Sequence, residues 1–120
     1  FAGVSYTASD GSFVYSQYWP SGTTATDIIA YVYDDPYIVY KVQSAGTTAQ
    51  TNIGNNADVV AGAGSTSTGQ SGFSLNGTMA AGTATCKIIG LWDDPSNEMG
   101  QYAQLEVLIN EHLLKATAGI

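Results

Sequence analysis

Apolar and polar positions alternate along this chain with a period of two more often than with a helical period, so the pattern predicts strands. Residues 12–19 (Ser-Phe-Val-Tyr-Ser-Gln-Tyr-Trp) are aromatic-rich and end at the turn cluster Pro20-Ser21-Gly22. Residues 26–33 are almost continuously apolar, which predicts a strand buried on both faces. From Tyr37 to Gln43, Ile38, Tyr40 and Val42 share one face opposite Tyr37, Val39, Lys41 and Gln43. Residues 73–79 carry Asn76-Gly77, a pair that favours a tight hairpin turn through positive φ. Residues 83–92 predict a further strand. Residues 101–110 hold good helix formers, but Leu105, Val107 and Ile109 alternate with Gln104, Glu106, Leu108 and Asn110, and strand is the reading taken.

Between these segments lies a Gly-, Ala-, Ser- and Thr-rich stretch, residues 44–72. Its run 62–72 resembles a low-complexity linker, and its Ser/Thr alternation also fits an extended polar edge strand or arm. The fold class expected is all-β: a single-domain antiparallel barrel or sandwich over residues 1–120 with this extended loop or arm.

Two segments nearly repeat. Ile28-Ile29-Ala30-Tyr31-Val32-Tyr33-Asp34-Asp35-Pro36 and Ile88-Ile89-Gly90-Leu91-Trp92-Asp93-Asp94-Pro95 are each an apolar run stopped by Asp-Asp-Pro. The Ile-Ile pairs are offset by one residue relative to the Asp-Asp-Pro motifs, which argues for one turn solution reached twice rather than a duplication. Asp bonding to the backbone two residues on, with Pro presetting φ, makes each motif a strand terminator. In the second loop Asp93, Asp94, Asn97 and Glu98 are weak candidates for a Ca²⁺ site, without the spacing of an EF-hand loop.

Charge narrows the function. The 120 residues carry a formal net charge of −7, with three lysines and no arginine. Phosphate neutralisation needs cations, so neither nucleic acid nor an anionic membrane is an expected partner. No apolar run approaches the roughly 20 residues of a membrane-spanning helix. Cys86 is the only cysteine; it excludes an intramolecular disulfide and reads as a buried thiol, on one face with Ala84 and Ile88. His112 is the only histidine, so a multi-histidine metal site is excluded, and no nucleophile elbow supports pairing it with Ser74 or Cys86. No phosphate-cradling motif occurs in the glycine-rich stretch. Asn76-Gly77-Thr78 matches a glycosylation sequon, though the turn role accounts for it. No cofactor is expected. A hydrolase using Asp93, Asp94 or His112 stands as a third-ranked reading. Eight tyrosines with Trp19 and Trp92 suggest interface residues, chiefly Tyr15, Tyr18, Trp19, Tyr37, Tyr40 and Trp92, or alternatively a glycan-binding surface module using exposed Tyr and Trp.

The strings Phe13-Val14-Tyr15-Ser16-Gln17-Tyr18-Trp19-Pro20, Val32-Tyr33-Asp34-Asp35-Pro36, the run from Asn56 to Gly72, and Leu105-Glu106-Val107-Leu108-Ile109-Asn110-Glu111-His112 resemble a family of small virion structural proteins of tailed bacteriophages. The resemblance implies a non-enzymatic capsid decoration (cement) protein that stabilises the head through inter-subunit β and aromatic contacts. It implies the major capsid protein and further copies of this chain as partners, with a trimer the usual assembly. The location implied is the capsid exterior, after synthesis in the cytoplasm of a bacterial host. The resemblance also implies a further N-terminal segment upstream of Phe1. Arms rich in Gly, Ser and Thr that order on assembly suit this role.

Overall fold

A computed structural model describes residues 1–115. Every sheet is antiparallel and the described residues contain no α-helix, so the protein is all-β; its three separate sheets form no closed barrel. The chain divides into two compact units, Phe1–Asp34 with Ala63–Gly72, and Asp35–Gly62 with the chain from Phe73 on.

In the first unit, β1 (Gly3–Ala8), β2 (Phe13–Ser16) and β3 (Ala25–Tyr31) form a sheet in the order β2-β1-β3. β1 reaches β2 through a turn in which Gly11 adopts φ 85° and the Asp10 carboxylate accepts from the Ser12 N–H and hydroxyl. As the middle strand, β1 buries Val4, Ser5 and Tyr6. β3 overturns the expected burial on both faces: Ile28 is 53 % and Ile29 55 % exposed. It is an edge strand with one neighbour, and the length of its apolar run could not reveal that. Its pairing with β1 shifts register between Ser5 and Thr7, where Asp27 takes the left-handed φ of 51°.

The second unit holds the main core. β4 (Tyr40–Gln43), β5 (Asn56–Ala57), β8 (Cys86–Leu91) and β9 (Gln104–Ile109) form a sheet in the order β4-β9-β8-β5. β6 (Val59–Val60) and β7 (Ser74–Leu75) pair separately. β9 lies between β4 and β8, and this double pairing makes a strand of residues with helical propensity. Its Leu105 and Val107 meet Leu75, Cys86 and Ile88 in the core, with Tyr40 and Val42 packed alongside. The strand expected from Tyr37 begins only at Tyr40, because residues 36–37 are taken up by the Asp-Asp-Pro turn.

The Asn76-Gly77 pair also departs from expectation. Gly77 is not in a positive-φ conformation, and Asn76 closes an Asx turn by accepting from the Thr78 N–H at 3.0 Å. The glycine is needed for close approach instead: a Cβ on Gly46 would lie 2.6 Å from the Gly77 Cα.

Candidate functional site

Register decides which side chains of the first sheet share a face, because directly paired residues in antiparallel strands project to the same side. Thr7 pairs with Phe13, Ser5 with both Tyr15 and Ile29, and Gly3 with Tyr31. Phe13, Tyr15, Ile29 and Tyr31 thus stand on one face across the small residues of β1. Tyr15 lies over Gly3, where a Cβ would collide with its ring, and the Tyr31 hydroxyl sits 3.2 Å from Ser5 Oγ. The two tyrosine rings are 6.0 Å apart, centre to centre. They seal Ser5 to 1 % exposure yet leave Phe13 74 % exposed. The result is a four-residue, largely apolar face open to solvent. Of its members only Tyr15 is among the interface candidates named from composition. The signal for the rest was a cross-strand register, which a single strand's pattern does not contain.

On residues Tyr18 and Trp19 the same unit builds a second feature. Trp19 meets Tyr6 edge-on, ring centres 5.2 Å apart and planes at 68°. Gly69, at φ 71°, lies against the Tyr18 ring so closely that any Cβ would enter it. The segment carrying Gly69 is a hydrogen-bonded turn: Ser65 N–H donates to Gln70 O at 2.9 Å, and Gly69 N–H to Ser65 O at 2.8 Å. Between this turn and residues 17–21 opens a cleft of about 1060 Å³.

The remaining candidates lie in the second unit. Tyr37 is exposed beneath Lys115 Nζ, 5.3 Å from its ring centre, and Lys115 also donates to Ile109 O. Trp92 lies under Lys41 Nζ at 4.9 Å. Tyr40 packs against the core. Asp35 accepts from the Tyr37 N–H, and Asp94 from the Ser96 N–H and hydroxyl, so the second Asp of each twin motif closes an Asx turn. The Ser96 hydroxyl, then its N–H, hold the Asp94 carboxyl below its ordinary value.

Asn97, a suggested Ca²⁺ ligand, is turned onto the backbone. Its Nδ2 donates to Trp92 O and Gln104 O, and its Oδ1 accepts from Gln104 N–H. Asp93 and Glu98 are exposed. Among the described residues no group of three or more His, Cys, Asp or Glu side chains is placed to hold a metal ion. His112 Nδ1 accepts from the Leu114 N–H. Cys86 is buried, and desolvation, reinforced by the negative charges of Asp58 and Glu111, pushes its thiol upward. No helix among the described residues is long and apolar enough to cross a membrane.

No family model, curated protein or solved structure matches this chain.

Proposed function

We propose that the chain is a non-enzymatic virion structural protein, a decoration or cement protein on the head of a tailed bacteriophage. It would bind the major capsid protein and further copies of itself, as the four resembling strings imply. The observation that carries the reading is the open face of Phe13, Tyr15, Ile29 and Tyr31, since contiguous exposed apolar surface of this kind marks interaction sites. Covering four large side chains that are between 44 % and 74 % exposed yields roughly 3.5–7 kcal/mol, taking about 1.5–3 kcal/mol for a fully buried one. That only approaches the roughly 4–15 kcal/mol cost of association. One such face binds weakly; several engaged together on a lattice bind through avidity.

The face suits this role better than the edge of β3. A register shift with left-handed Asp27 interrupts that edge, and a bulge of this kind discourages strand addition. The contact proposed is therefore face to face, and stacking against a neighbouring sheet would complete a sandwich across the subunit boundary.

Cryo-electron microscopy of the source particle tests the proposal. Density for this chain on the exterior of the head is expected. Its location on a tail fibre, or away from the virion, would sink the idea.

A further inference from the structure

We propose that the cleft of the first unit is a binding site for a neutral saccharide. Its volume of about 1060 Å³ lies just above the range typical of small-molecule sites, about 300–1,000 Å³, and it is an open groove rather than an enclosed cavity. All its lining belongs to one unit, with Tyr18 and Trp19 on one side and the turn around Ser65 and Gln70 on the other.

The chemistry of the lining selects the ligand class. Not one side chain around the cleft carries a charge, and all three lysines lie elsewhere, in the second unit. Apart from the α-amino group of Phe1, which is among the lining residues, an anionic ligand would find no cation there, and the chain's net charge of −7 would repel it. The polar groups present are amides and hydroxyls, such as Gln17, Gln70, Ser65 and Ser21. Each both donates and accepts hydrogen bonds, as do the hydroxyls of a sugar. Trp19 supplies an apolar surface for sugar C–H groups: it is 41 % exposed, and Tyr6 fixes its ring by an edge contact. The opposite wall is ordered before any ligand arrives. Ser65 Oγ lies 3.1 Å from Ser67 Oγ and accepts from the Thr68 N–H, and the turn's backbone bonds hold Gln70 in place. Preorganisation of this kind lowers the entropic cost of binding.

The test uses the full chain on an array of neutral and charged oligosaccharides, with saturation-transfer NMR of the neutral hits. Binding to at least one neutral class is expected. Gln70→Ala, at an exposed position, should weaken it about tenfold. Trp19→Phe should weaken it similarly while keeping the contact with Tyr6. A blank neutral panel with folded protein would overturn the proposal. So would binding confined to sulfated or sialylated glycans, or neutral binding undiminished in both Gln70→Ala and Trp19→Phe.

Discussion

Replacing Gly46 by alanine should destabilise the second unit out of proportion to the single methyl group added. The new Cβ would stand 2.6 Å from Gly77 Cα, whereas carbon atoms in good contact sit about 3.5–4.0 Å apart. Main chain must therefore yield by about 1 Å, and neither side moves freely. Ser44 N–H is bonded to Ala103 O at 2.9 Å, Ala45 N–H to Leu75 O at 2.8 Å, and Thr48 N–H to Gly100 O at 2.9 Å. Overpacking costs about 1–3 kcal/mol, and stretching one of these bonds adds about 1 kcal/mol. The smaller unfolded-state entropy of alanine returns only about 0.4–1 kcal/mol. The net loss is about 1–3.5 kcal/mol, or a fall in Tm of roughly 4–14 °C for a chain of 120 residues. Gly82→Ala is the matched control, because nothing lies within 4 Å of its added Cβ and its φ is not positive. It should be neutral or slightly stabilising. Thermal unfolding followed by circular dichroism, with urea titration for the free energy, separates the two variants. A Gly46→Ala protein melting within 1 °C of the parent, or a Gly82→Ala protein falling equally far, would refute the packing argument. Gly46→Ala combined with Gly77→Ala should cost less than the sum of the two, since both open the same gap.

Three further outcomes follow from the loops and the core. Asn97→Asp should destabilise more than Asn97→Ala, whose own loss is about 1–3 kcal/mol, because a carboxylate would face the carbonyls of Trp92 and Gln104 where the amide now donates; equal urea midpoints would contradict this. Asp94 should titrate below its ordinary 3.8 by carbon-detected NMR, and Ser96→Ala should move it back up. Its native pKa is lowered, so the turn's contribution is present above the unfolded pKa and lost as pH falls through the folded one; an unmoved titration in Ser96→Ala would remove the cause given. Cys86 should react slowly with a thiol reagent at pH 8 in the native protein and quickly in urea, burial having raised it above 9.0. Any stability linked to the protonated thiol is present below the unfolded pKa and fades as pH rises through the folded one. Rapid labelling of native protein would show that the buried position is wrong.

The twin segments divide what was legible in the chain from what was not. In both, the apolar run becomes a strand and the second Asp closes an Asx turn, Asp35 onto Tyr37 and Asp94 onto Ser96. These features involve residues one or two positions apart, so composition and order suffice to specify them. Burial follows another rule. Ile88 is fully buried because its face of β8 packs into the core with Leu75, Leu105 and Val107, while Ile89 on the other face of the same strand is 37 % exposed. Ile29, on the edge strand β3 whose only neighbour is β1, is 55 % exposed. What each face packs against depends on pairings with distant segments, and nearly identical apolar runs carry no record of it. The same reasoning covers both candidate sites. Tyr15, Tyr18 and Trp19 were nameable as aromatic residues in a β segment. Their assembly into an open face and a neutral cleft required the register of β1 with its two neighbours and the seating of Gly69 against Tyr18. Local order thus set strands and turns, and long-range pairing decided which of their side chains remain available to a partner.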